Sequence, residues 1–406
     1  MRQPLNQAIR HLRNGKNSTS IPGLLKLRLF LQLVFLAAFL TLLYWQSRLE
    51  WVDYVSSGSH NQPNGLSNHE KEVTVPKEEL RLRFNWTNLE PTMELTRRMV
   101  AHQSNCSGVP TMGTFKYRNR FGLGSDLHVW GQALCNGMEL NLRIRTVENW
   151  TWMDKEHCST KPSSMLCYFR QSELNCPGDE EIVRKQPDFD PVHNLSRSNG
   201  IVRELCPSIS RQKTSLRIAG MEFLFTRVTP LLMQEAERQL NLVFQSKVPN
   251  DLICVHVRWG DKIREMKLVA ISEYIDAIYQ ILDNRPGSTR DHANIYLATE
   301  DPDAVEQFRN AMPDGWNLFL DQYYTEMLPH RIVEYNGSPK MSKAVNGRAG
   351  LIALGSLLVA MEANDFVLTT ASNWSRMINE LRLSIIDPRC DQCTSMIDLR
   401  QVRNEW

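Results

Sequence analysis

The chain has 406 residues, 42% of them hydrophobic and 23% charged, with a formal net charge of +2. That is an ordinary globular composition, long enough for more than one domain. With no basic tract and no zinc-finger spacing, nucleic-acid binding is set aside.

From the N-terminus, residues 29–45, "LFLQLVFLAAFLTLLYW", are apolar except for Gln32 and Thr41. They approach the roughly 20 residues that a membrane-spanning helix requires. Arg2, Arg10, Arg13, Lys16, Lys26 and Arg28 precede them without an acidic residue. Residues 1–28 are therefore expected to form a cytoplasmic tail, with the C-terminal body on the far, lumenal side. A cleaved signal peptide is the alternative, but its apolar core is usually about 7–15 residues and ends in small side chains. This segment ends in Tyr44 and Trp45. Residues 46–90 are polar and read as a stem. Glycosylation triplets begin at Asn85, Asn105, Asn149, Asn194 and Asn373, which suits a lumenal body.

Residues 91–249 are expected to form a first α/β lobe. Within it, "LHVWGQALCNGMELNLRIRTV" reads as a helix and a strand. A Cys- and Pro-rich loop follows over residues 149–208. Two helical pieces then flank Pro230. Of nine cysteines, Cys106, Cys135, Cys158, Cys167, Cys176 and Cys206 cluster here, and Cys390 and Cys393 lie near the end. In an oxidising lumen most should pair, in a connectivity the sequence leaves open. Cys390-Asp-Gln-Cys393 is read as a local disulfide; a redox motif is the alternative. Cys254, inside an apolar strand, is read as a buried free thiol.

Residues 250–390 alternate strand and helix. The strands are "DLICVHVR", "NIYLATE", "WNLFLDQ" and "DFVLTTA"; the helices between and after them include "ISEYIDAIYQILDN", "GRAGLIALGSLLVAMEA" and "NWSRMINELR". Such alternation predicts a parallel α/β sheet, which binds ligands beyond the carboxyl ends of its strands. Three of those ends carry polar groups: "HVRWGDK" from His256, residues 299–301 and residues 369–372. Arg258 offers a planar, permanently charged fork suited to phosphate oxygens, and Gly260 lets the backbone approach closely. Standing alone, such a cluster would read as a salt-bridged strand end. Asp301-Pro302-Asp303 has the D-x-D spacing of metal-dependent glycosyltransferases, but reads better as an N-cap, a first-position proline and a first-turn acid. No metal site is expected. Residues 391–406 are read as a tail.

The motif "VHVRWGDK" resembles the "HVRRTDK"-type signature of the α1,6-fucosyltransferases of N-glycan cores, and of the related nodulation and α1,2-fucosyltransferases. "SEYIDAI", "IYLATEDP" and "NDFVLTTASNWSR" continue the resemblance, and "GLGSDLHVWGQ" is similar to the family's "GYGCQLHH" loop. It spans residues 95–385 in order. An SH3 domain like that of the animal enzymes is not expected after Trp406. The resemblance implies a GT-B-like α/β fold of two facing Rossmann-like lobes behind a single transmembrane helix and a stem. It implies a Golgi type II membrane enzyme that transfers fucose from GDP-fucose with inversion, without metal or cofactor. Arg258 would hold the β-phosphate and His256 the guanine. Ser372 would bond the diphosphate, and Tyr274, Glu300 and Asp301 would line the cleft. Gly122 and Gly124 would face the donor from the first lobe. Glu265 would be the base, tuned by Asp261 and Lys262. The chain departs from the family in two places. Trp259 replaces a second arginine, and Ser356 falls where an ungapped alignment expects a guanine-reading aspartate. The expected partners are the nucleotide sugar, an N-glycan or glycoprotein acceptor and the membrane, with a homodimer left open. Another linkage or nucleotide sugar, or an inactive glycan-binding protein, are the alternatives.

Overall fold

The computed structural model describes residues 79–107, 111–117, 121–147, 150–173, 176–177, 214–260, 267–332, 334 and 337–400. Among them no helix is long and apolar enough to cross a membrane; the anchor expected at residues 29–45 lies outside the described residues.

The dominant element is a five-stranded, all-parallel sheet flanked by helices. It comprises β3 (Leu252–His256), β4 (Ala293–Ala298), β5 (Trp316–Leu320), β6 (Asp365–Leu368) and β7 (Ser395–Asp398), in the order β5-β4-β3-β6-β7. The apolar run "LICVH" forms the central strand because it is buried on both faces. Ile253 and Val255 meet one cluster with Ile295, Leu297 and Val367; Leu252 and Cys254 meet the other with Tyr296, Phe366 and Leu368.

Between the strands, α5 (Ile271–Asn284) and α6 (Pro302–Ala311) cover the first of these faces. In α5, Ile271, Tyr274, Ile275, Ile278 and Ile281 recur at helical spacing and are buried, and Glu273 accepts from the Ala270 N–H at the start of the helix. The opposite face is covered by α8 (Arg348–Ala360), which is buried along nearly its whole length as its uniformly apolar sequence demands. Counting from β3, the strand order is 3-2-1-4-5, which is the doubly wound order and is compatible with a Rossmann-like lobe.

The N-terminal part contains α1 (Glu94–Gln103), β1 (Thr111–Phe115), α2 (Leu123–Glu139) and β2 (Leu142–Thr146), with β1 and β2 parallel. Next come α3 (Thr214–Phe225) and α4 (Pro230–Phe244), with Thr229 capping α4 and Pro230 at its first position. α7 (Gly337–Ala344) precedes α8, and α9 (Asn373–Leu381) follows β6. Residues 150–154 close over the start of α8. At Gly347 (φ +84°), a Cβ would fall 1.8 Å from the Met153 carbonyl oxygen, so only glycine fits there. The N-terminal part and the helices on the second face of the five-stranded sheet share one continuous core, so that residues 77–406 form a single compact unit and not two separate lobes.

Three boundaries differ from the sequence reading. The stem expected over residues 46–90 ends earlier, because Leu82, Trp86 and Leu89 are buried in the core. Arg83 donates to the Ala363 carbonyl and to Asn364 (3.2 and 2.8 Å). Helix α4, assigned to the first lobe, packs beneath the second sheet, where Gln239 donates to the Ile352 carbonyl and accepts from Ser356 (3.0 and 2.8 Å). The tail expected over residues 391–406 contains the fifth strand, β7.

The disulfides Cys106–Cys176, Cys158–Cys167 and Cys390–Cys393 are formed, Cys135 is disulfide-bonded, and Cys254 is a buried free thiol. Asn85 and Asn105 are exposed. The Asn373 triplet is not: this amide donates to Ser125 and accepts from Arg376 at the start of α9.

Candidate functional site

Because β4 lies on one side of β3 and β6 on the other, the direction in which strands are added to the sheet switches between β3 and β6. In doubly wound sheets that reversal opens a crevice beyond the carboxyl ends of the two strands. His256 ends β3, Arg258 follows it, and residues 369–372 lead from β6 into α9.

The crevice floor is one hydrogen-bonded unit. His256 Nδ1 lies 2.6 Å from Ser375 Oγ, and the Thr369 N–H donates to the same hydroxyl (3.1 Å). Tyr274 OH meets Thr369 Oγ1 at 3.0 Å. These bonds tie both sides of the reversal to α5. Burial, with the Arg258 charge beside it, pushes the His256 pKa down to about 3, so the imidazole is neutral at physiological pH. Burial also pushes the Tyr274 phenol up to about 12.

Above this floor, the Arg258 guanidinium is ion-paired with Glu300 and donates to the Trp259 carbonyl (3.0 Å). Their side chains are 16% and 30% exposed, so the pair sits at the rim of the crevice. Ser338 donates to the other Glu300 oxygen (3.2 Å). Asp301 caps α6 by accepting from the Asp303 N–H (3.0 Å), and its second oxygen takes Arg331 (3.0 Å). Asp301 is buried and Asp303 exposed, as a helix cap and its first turn require. Gly260 has φ +69°, and its missing Cβ would lie 3.4 Å from the Asp301 carboxylate. Asp321, at the end of β5, accepts from the Tyr324 N–H (2.7 Å), and burial raises its pKa to about 8.

The N-terminal part contributes the glycine loop. Gly122 is the N-cap of α2, and a Cβ on Gly124 would lie 3.3 Å from the Asn373 carbonyl carbon. This close approach sets the loop against the N-terminus of α9, beside Ser372. Ser372 occupies the N-cap position of α9 without capping it through its side chain. The loop is held from below: the Trp152 indole donates to the Phe121 carbonyl (3.3 Å) and Trp150 to Asp126 (2.9 Å). Burial raises the Asp126 carboxyl to about pH 8. Behind the loop, Glu380 accepts from His128 (2.7 Å) and lies 3.6 Å from Arg217. Arg376, lowered to about 10 chiefly by burial, reaches Asn373.

Of the residues expected in the site, Arg258 is joined to Glu300, and His256 and Tyr274 are tied to the segment after β6 through Ser375 and Thr369. Asp301 follows β4, and Gly124 packs against Asn373, next to Ser372, with Gly122 two residues before Gly124. Asp261, Lys262 and Glu265 lie outside the described residues. Trp259 turns away: its indole donates to the Val269 carbonyl (2.9 Å) and packs on the α5 side of the sheet. Ser356 is a buried core residue that also accepts from the Tyr323 N–H (3.0 Å).

Sequence reasoning missed the β7 contribution. Asp398 accepts from the Thr370 N–H (3.0 Å) and hydroxyl, and Arg400 pairs with Glu273 (3.0 Å). The short alternation in "SMIDLR" was the available signal. Among the described residues, Asp154, Glu156 and His157 have ligand atoms close enough for a metal ion. Asp154 already accepts from the Glu156 N–H (2.9 Å) and from His157 (3.1 Å), and the other two are exposed.

The fold defines an α/β protein with polar side chains gathered at the carboxyl edge of a doubly wound parallel sheet. No protein-family model matches the chain, and no curated protein is significantly similar to it.

Proposed function

We propose that the protein is an inverting glycosyltransferase of GT-B-like architecture that transfers fucose from GDP-fucose to an N-glycan, with the α1,6 linkage to the core GlcNAc as the leading assignment. The observation that carries this reading is the juxtaposition at the switch in strand order. A permanently charged guanidinium (Arg258) just beyond β3 and a helix N-terminus (Ser372–Asn373) beyond the neighbouring β6 share the carboxyl edge of the sheet, and the glycine loop before α2 packs against Asn373. Helix N-termini and guanidinium forks both favour phosphate oxygens.

In the reaction an acceptor hydroxyl attacks the anomeric carbon opposite the departing GDP. The C–O bond to the acceptor forms, the C–O bond to the phosphate breaks, and the configuration inverts. Arg258 and the α9 N-terminus neutralise the charge that develops on the leaving diphosphate. Neutral His256 and the Thr369–Ser375 hydroxyls hold the crevice floor in register. Glu265 is assigned as the base that takes the acceptor proton, with Asp261 and Lys262 beside it; this rests on the motif resemblance alone. The type II Golgi orientation rests likewise on residues 29–45.

The Arg258–Glu300 pair favours a second reading, in which the crevice no longer turns over donor and the protein binds glycans only. Detergent-solubilised full-length protein, incubated with labelled GDP-fucose and defined N-glycans, separates the two. The proposal expects GDP release and a fucosylated product located by mass spectrometry and linkage analysis, with GDP-mannose and UDP-sugars inert. Glycan binding without GDP release from any donor supports the second reading and overturns the first.

A further inference from the structure

The turn between the end of α9 and β7 carries a disulfide neither of whose cysteines is buried. Cys390 is partly exposed and Cys393 exposed, whereas Cys158 and Cys167 are both buried and the exposed Cys106 is bonded to a buried Cys176. The two residues the ring encloses, Asp391 and Gln392, both have left-handed backbones (φ +54° and +58°), a conformation aspartate tolerates but glutamine does not favour. The turn is held by Asp387, which accepts from the Gln392 N–H through its carbonyl (2.9 Å) and from the Thr394 N–H and hydroxyl through its carboxylate (3.3 and 2.5 Å). Thr394 leads directly into β7. At the far end of β7, Asp398 holds Thr370, and the Arg400 carbonyl accepts from the Ala371 N–H (2.9 Å). Thr370 and Ala371 immediately precede Ser372 in the crevice.

We infer that Cys390–Cys393 is a reversible thiol–disulfide exchange site for dithiol reductants, and that its redox state sets how firmly β7 holds the Thr370–Ser372 segment. A thiolate of the reductant attacks the exposed Cys393 sulfur; the S–S bond breaks and its electron pair leaves on Cys390, which takes a proton. The second thiol of the reductant then attacks the mixed disulfide and expels Cys393, which takes a proton in turn. The protein gains two electrons and two protons, and the reductant departs as a disulfide. Exposure opens the bond to in-line attack, and opening the ring frees Asp391 and Gln392 from their left-handed backbones.

The test titrates the full-length protein with dithiothreitol, traps thiols with iodoacetamide and maps them by mass spectrometry. Cys390 and Cys393 are expected to be alkylated at roughly tenfold lower reductant than Cys158 and Cys167. Joint opening, or earlier opening of Cys158–Cys167, overturns the assignment. At the reductant level that opens only this pair, amide exchange at Thr370 and Ala371 is expected to quicken roughly fivefold or more. Oxidised glutathione should restore it. Unchanged protection refutes the link to the crevice, and irreversible loss shows unfolding in place of a switch.

Discussion

Glu300→Gln addresses the one cation the proposed chemistry most requires. In the structure Arg258 is held by a carboxylate that a donor phosphate must displace or share. With the two side chains 16% and 30% exposed, an effective dielectric of about 20–40 applies. A carboxylate about 6 Å from a bound phosphate then costs roughly 1.5–3 kcal/mol. Glutamine keeps one acceptor oxygen for Arg258 and turns its NH2 toward the Ser338 hydroxyl, which can accept in place of donating, so about 0.5–1.5 kcal/mol of orientation is the most that is lost. The balance, about 0–2.5 kcal/mol, predicts GDP binding roughly eightfold tighter in Glu300→Gln at its midpoint, a gain that shrinks as salt rises toward about 1 M. Titration calorimetry with GDP at two salt concentrations measures both. Weaker binding in Glu300→Gln would mean that the carboxylate only orients the guanidinium, and the competition argument would fail. If the unmodified protein binds no GDP at all, the donor assignment itself is at fault.

Arg258→Ala should weaken GDP binding by about ten- to a hundredfold, the range for losing hydrogen bonds to a charged group, while thermal stability changes little. His256 is kept neutral in the fold, with its pKa near 3 against an unfolded value near 6.5. Its contribution is therefore present above about pH 6.5 and lost as pH falls, by about 2–3 kcal/mol at pH 4.5. Urea denaturation of His256→Gln should show a correspondingly shallower acid limb. Asp126 has the opposite sign: its carboxyl is raised to about 8, so stability is full in acid and declines as pH rises. Asp126→Asn, which keeps an acceptor for Trp150, should stabilise the fold by about 2–4 kcal/mol at pH 8, and an unchanged urea midpoint there would contradict that. Trp86→Ala should cost about 3–5 kcal/mol, because this residue is core and not stem. Glycopeptide mapping should find Asn85 and Asn105 modified and Asn373 bare, since the last amide is engaged by Ser125 and Arg376.

What was legible in the sequence was local. Buried strands such as "LICVH" announce themselves as unbroken apolar runs, and α5 by its 3.6-residue recurrence, so the parallel sheet could be expected before any coordinates. The cap at Asp301-Pro302-Asp303 was legible for the same reason, since capping chemistry is decided within four residues. Polar groups at strand ends could likewise be listed, because a parallel sheet places them all on one edge.

Strand order could not be read that way. It is fixed by which helix faces fill which side of the sheet, a property of packing among segments far apart in the chain. Only that order sets His256 against Ser375, and Gly124 against Asn373 across 248 intervening residues. The pairing of Arg258 with Glu300 and the turning of Trp259 toward Val269 are decisions of the same kind. So is the recruitment of "SMIDLR" as an edge strand, too short to signal itself without a neighbour. Periodicity and composition determined the elements of this protein; the long-range burial that orders the strands decided where its charges meet.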